Sequence, residues 1–131
     1  MPTAKGTFSV KITPLAGEED MPFARMRIDK VISGDLEATT VGQMMAFRSA
    51  VEGSAGYVAE EIVTGSLEGR SGSFVFQHAS EMNRGAPTQS IRVIPDSGTD
   101  GLAGLSGSFV ITIDAEGGHS YGFDYELGQT T

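Results

Sequence analysis

The sequence predicts an all-β fold in which eight antiparallel strands close into an up-and-down barrel. Three observations predict it. Apolar and polar residues alternate with a period of two, the pattern of a sheet with one dry and one wet face. Eighteen glycines among 131 residues punctuate runs of Val, Ile, Phe, Thr and Tyr, at intervals of roughly ten to fifteen residues, a regular spacing that suggests a sandwich or barrel. The connections are short, so sequential strands are antiparallel neighbours.

The first strand is expected over Thr3–Thr13, where Phe8, Val10 and Ile12 oppose Ser9, Lys11 and Thr13. An acidic loop, Gly17-Glu18-Glu19-Asp20, lies between Pro14 and Pro22 and leads to a second strand over Phe23–Ser33. A third is expected over Leu36–Arg48. The best helical candidate, Val41–Val51 with its Met-Met-Ala-Phe run, overlaps it, but Ala38-Thr39-Thr40 supplies no capping signal and the segment reads as strand. Strands follow over Gly56–Ser66 and Ser71–Met82; in the latter Phe74, Phe76, His78 and Met82 share one face against Ser73, Gln77 and Glu81. Turn-rich Asn83–Pro87 introduces Thr88–Pro95, and Pro95–Gly101 introduces Leu105–Asp114, whose apolar face is Phe109, Ile111 and Ile113. A hairpin at Asp114–Gly118 leads to His119–Leu127, with Tyr121, Phe123, Tyr125 and Leu127 facing inward. Parallel strands covered on both faces would show continuous apolar runs instead.

One segment echoes another. Leu67-Glu68-Gly69-Arg70-Ser71-Gly72-Ser73-Phe74-Val75 matches Leu102–Val110 at seven of nine positions, 35 residues later. Two copies do not make a solenoid. They suggest a recurring turn in which glycine supplies positive φ and the aromatic opens the next inward face. A phosphate cradle would need a following helix and a lysine, and neither is present.

The chain reads as a single β-barrel domain over residues 1–131. A domain of this size buries about two-thirds of its unfolded surface, so a staple is unnecessary. Met1–Gly6 carries no apolar secretory core, and no apolar run approaches the ~20 residues of a membrane span. Cysteine is absent, which removes thiolate chemistry and fits a cytoplasmic location. The net charge of −8 argues against nucleic acid and against anionic membrane surfaces, both of which require a basic face.

Few residues could carry chemistry. His78 shares an inward face with Phe74 and Phe76, either as a satisfied core imidazole or as a base or ligand anchor. By parity with Leu67, the residues Val63, Glu61, Ala59 and Tyr57 also face inward, where the Glu61 carboxyl would have its pKa raised by desolvation or would pair with His78 or a tyrosine. Glu52, in the loop before Tyr57, could line a barrel mouth. The candidate lumen residues are Tyr57, Glu61, Phe74, Phe76, His78, Tyr121, Phe123 and Tyr125. His78 and His119 stand too far apart in sequence to suggest a metal pair. No metal, cofactor or nucleophile motif is present, so no cofactor is assigned and no catalytic residue is named.

Several segments together resemble an uncharacterised bacterial family: Ser33-Gly34-Asp35-Leu36-Glu37, Val51–Val58, Gly69–His78, Leu102–Gly107 and His119–Tyr125. The resemblance covers nearly the whole chain, and the family carries a domain-of-unknown-function label. It implies a small barrel similar to plant allene oxide cyclase, broadly lipocalin-like, and implies no activity, ligand or catalytic residue. No cyclase active-site motif is matched here.

Two functional classes follow. In the first, a filled, non-catalytic barrel works through its outer surface or as a homo-oligomer, most simply a dimer; bulky inward residues favour it, as do Val75 and Val110 on nominally wet faces and Val41, Met45 and Phe47 sharing one face opposite Met44. In the second, the lumen holds a small apolar or amphipathic molecule oriented by His78 and Glu61, with proton transfer as its catalytic extension.

Overall fold

The computed structural model describes residues 2–128; Met1 and residues 129–131 of the expected 1–131 domain lie outside the described residues. Eight strands follow in chain order: β1 (Thr3–Leu15), β2 (Ala24–Gly34), β3 (Leu36–Arg48), β4 (Ala55–Leu67), β5 (Arg70–Asn83), β6 (Ala86–Val93), β7 (Leu105–Ile113) and β8 (His119–Leu127). Each is antiparallel to the next, and β8 pairs back onto β1 to close the barrel. All eight expected strands are present, with ends shifted by a few residues. The helical candidate Val41–Val51 is strand through Arg48. Phe23 falls just outside β2, with its ring edge-on to Phe47 at 6.1 Å.

Turn chemistry sets the register. Glu68 (φ 46°) and Gly69 (φ 88°) join β4 to β5, and Arg84 (φ 49°) and Gly85 (φ 91°) join β5 to β6. Two central residues with positive φ make a type I′ turn, whose twist matches that of the flanking strands. The sequence echo therefore has a partly shared cause. Gly104 also has positive φ, at 79°, but it follows a 3-10 turn (Asp100–Leu102) rather than closing a hairpin. In both copies the leading leucine and the phenylalanine are buried: Leu67 and Leu102, Phe74 and Phe109.

One half of the interior, the floor end, is solid. Phe74, Phe76, Phe109, Tyr121, Phe123 and Tyr125 are all buried. Their rings interlock, with Phe74 edge-on to Phe76 at 5.0 Å and Phe109 stacked on Tyr121 at 5.0 Å. Offset and edge-on contacts of this kind add to the area they bury. Ala4, Leu36, Leu67, Leu102 and Leu105 seal the floor.

The other end is open. Ile12, Met82 and Ile113 hold the inward parity expected of them, yet they are 49%, 40% and 63% exposed. Here the alternation is kept but the burial is lost, because these positions lie at the strand ends that form the mouth.

The wall is also uneven. β6 and β7 share a single ladder pair, Arg92 opposite Ser108. The chain leaving β6 turns back along β5 instead: Ile94 N–H donates to the Val75 carbonyl (2.9 Å), and Thr99 N–H to the Ser73 carbonyl (2.8 Å). Toward the mouth, the Gln89 side-chain carbonyl accepts the Ile111 N–H at 2.9 Å.

Candidate functional site

Above the aromatic floor the interior becomes polar. Lys30, Thr40, Glu61 and His78 are the buried polar or charged side chains among the described residues, at 8%, 3%, 1% and 3% exposure. Each stands at an inward position on consecutive strands β2 to β5. Glu61 lies directly across from Gly42 on β3. A Cβ on Gly42 would meet the Glu61 Cγ at 2.8 Å and collide with the Glu60 carbonyl. The missing side chain thus lets the Glu61 carboxylate lie across β3 and reach Lys30 on β2.

Glu61 is the hub. Lys30 Nζ donates to Glu61 Oε2 at 3.0 Å, and Thr40 Oγ1 donates to Glu61 Oε1 at 2.8 Å. His78 Nε2 lies in close contact with Glu61 Oε2. Lys30 Nζ also sits over the Phe8 ring, 5.0 Å from its centroid, a favourable cation–π geometry. Burial pushes the Glu61 carboxyl up. The His78 contact, the Lys30 charge and the Thr40 hydroxyl outweigh that, and hold it at about 2. A carboxyl held that low is a poor proton acceptor at neutral pH. Its chemistry is to fix Lys30 and His78 in place.

Ser80 occupies the next inward position of β5 toward the mouth, opposite Tyr57 and Gln89. Its Oγ is buried and makes no hydrogen bond. Around it the inward positions include the half-buried apolar Met26, Met44, Tyr57 and Ile111 and the exposed Gln89 and Met82.

The expected lumen residues therefore divide. Glu61 and His78 meet, as parity and chemistry predict, and Tyr57 stands half-buried at the mouth. Phe74, Phe76, Phe123 and Tyr125 lie in the close-packed floor. Of the acid and the phenols that could face His78, Glu61 is the one that meets it, and Tyr121 is engaged elsewhere. Its hydroxyl accepts the Leu36 N–H at 3.1 Å and donates to the Ser33 carbonyl at 3.1 Å, because the β2–β3 turn passes within its reach. Glu52 is exposed in its loop. Sequence reasoning missed Lys30, Thr40 and Ser80. The signal for Lys30 was available: it stands in phase with Ile28 and Ile32.

The largest grooves among those found lie on the outer wall. One of about 890 Å³ runs along β2–β5 between Val41, Met45, Glu60, Ile62 and Val75. Another, of about 570 Å³, is bounded by Phe23, Phe47 and Val58. No helix is long and apolar enough to cross a membrane among the described residues.

No curated protein matches the chain. Among solved structures, it is similar to a protein with unknown function from the DUF3224 family of Shewanella oneidensis MR-1, determined by crystallography. The two are 40% identical, with 99% of each chain covered and a TM-score of 0.94. Residues 4–125 match the family described as "Protein of unknown function (DUF3224)". From the floor to the mouth, then, this barrel is one of that group: the chain belongs to the DUF3224 family, whose function is unknown.

Proposed function

We propose that this chain is a small-molecule-binding barrel whose ligand seats in the mouth rather than the full lumen. One observation carries the reading: Ser80 Oγ is buried without a hydrogen-bond partner one inward position above His78. An unsatisfied buried hydroxyl costs about 1–3 kcal/mol, and such a group calls for an occupant. The half-buried apolar rim fits a small amphipathic body, while Ser80 can donate to or accept from a polar head. The ion cluster beneath supports the same reading, because buried charges are expensive to keep where apolar packing would serve. Glu61, held at about 2, lends no support to a proton-transfer extension. The cysteine-free composition supports placing the protein in a bacterial cytoplasm.

The test is calorimetric titration with medium-chain carboxylic acids and the matching alcohols. The expected result is saturable binding by the parent that is lost in folded Ser80→Ala and His78→Gln variants. Absence of binding at millimolar ligand, or full retention in Ser80→Ala, would refute a mouth site built on that hydroxyl.

A further inference from the structure

The outer wall carries a second pattern, independent of the mouth. Arg27, Gln43, Glu60, Gln77 and Arg92 stand side by side across β2 to β6. The row reads positive, neutral, negative, neutral, positive. Arg27 is already held by Asp29 at 3.0 Å, whereas Glu60 and Arg92 form no ion pair among the described residues. Both are exposed.

This polar row is flanked by apolar ones. Toward the mouth stand Met45 and Val58, at 42% and 51% exposure; toward the floor stand Val41 and Ile62, at 45% and 57%. Scattered apolar side chains on a wet face need no explanation, but contiguous ones mark contacts. Three such rows span roughly 14 Å along the strands, and neighbouring strands stand about 4.8 Å apart, so the wall supplies only the centre of a standard interface of about 800 Å² per partner.

We propose that a second copy of this chain docks on this face about a two-fold axis running along β5, so that Glu60 of each protomer pairs with the partner's Arg92. Glu60 and Arg92 flank Gln77 on β4 and β6, one strand to either side of the axis. A two-fold along β5 exchanges those sides, and a self-complementary contact results. Gln77 then faces its own copy, and amide against amide can hydrogen-bond in both directions.

The floor-side row agrees with the same axis. Ile94, tied beside Val75 by its N–H, falls opposite Ile62, while Val58 falls on Ser90 and, farther toward the mouth, Glu81 of β5 falls on its own copy. Neighbouring axes fare worse. A two-fold along β4 sets Glu60 on Glu60, and one along β3 requires Arg27, which Asp29 already holds.

Sedimentation equilibrium of the full chain at physiological ionic strength tests the proposal, with thermal melts confirming that each variant is folded. The parent should be a dimer at micromolar concentration. Glu60→Arg and Arg92→Glu should each weaken association about tenfold or more, and the double charge swap should restore it. Arg27→Glu should leave association near the parent value. A monomeric parent at tens of micromolar would overturn the proposal. So would single reversals without effect, or a double swap that stays as weak as the singles.

Discussion

Tyr121 reaches across the barrel floor to Leu36, whose N–H it accepts at 3.1 Å, and so ties β8 to the first residue of β3. The same hydroxyl donates to the Ser33 carbonyl. Gly6 on β1 makes room for it: a Cβ there would meet the Tyr121 hydroxyl at 2.8 Å. Tyr121→Phe should keep the ring stack on Phe109 but strand the buried Leu36 N–H. The expected loss is about 1–3 kcal/mol, read from urea unfolding with an unchanged m-value.

Removing the hub charge should cost more. Glu61→Gln keeps the shape but leaves the Lys30 ammonium buried without a counter-ion. Breaking a buried pair in this way costs about 3–5 kcal/mol. Thr40→Val should cost only about 1 kcal/mol, since Glu61 would keep Lys30 and His78. If the two variants proved equally mild, Glu61 would not be the hub.

The same carboxylate sets an acid limit. Its folded value lies below its ordinary 4.5, at about 2, so the unfolded chain binds the proton more readily. The stabilisation is therefore fully present above about pH 4.5 and drains away as pH falls toward 2. Its size is on the order of 3 kcal/mol. Unfolding free energy measured between pH 6 and 2 should fall over that window in the parent, and the fall should be shallower in Glu61→Gln.

Gly42→Ala should act through Glu61 without touching its chemistry. The added methyl collides with the Glu60 carbonyl and crowds the Glu61 side chain, and overpacking of this sort costs about 1–3 kcal/mol. An amide NMR spectrum should place the perturbation on Lys30, Thr40 and His78, while the floor residues hold their shifts.

The aromatic floor should be the least forgiving place. Phe76 packs against Phe74, His78, Phe109 and Phe123 and is 2% exposed. Phe76→Ala should cost about 3–5 kcal/mol, measured by the shift of the chemical denaturation midpoint.

The fold was legible because its cause is local. Alternation through Phe74, Phe76 and His78 gives the face, and pairs such as Glu68-Gly69 give the turns, so strand order follows from sequence order. Glu61 and His78 could be placed by parity for the same reason. Burial at the ends was not legible. Ile12 and Ile113 alternate as well as Phe8 and Phe109 do, and only the three-dimensional extent of the wall shows that they reach the open rim. The partner of Tyr121 was hidden too, because a hydroxyl's choice between a side chain and a backbone amide depends on which turn passes nearby. Lys30 was overlooked for a plainer reason: its charge suggested solvent, although its phase matched Ile28 and Ile32.

The single ladder pair between β6 and β7 has a mechanical consequence. The first and last strands are sewn together along β1 and β8, from Thr3–Asp124 to Phe8–His119, whereas β6 and β7 share only the ladder pair Arg92–Ser108 and the Gln89–Ile111 hydrogen bond beside it. The barrel's weak joint is thus between β6 and β7 and not where β8 closes onto β1. Amide hydrogens along the facing edges of these two strands should exchange with solvent sooner than those of β3 and β4, because parting them costs few hydrogen bonds and leaves the floor intact. Such breathing would let the wall widen beside Gln89 and Ile111, and give the sealed imidazole of His78 intermittent access to water.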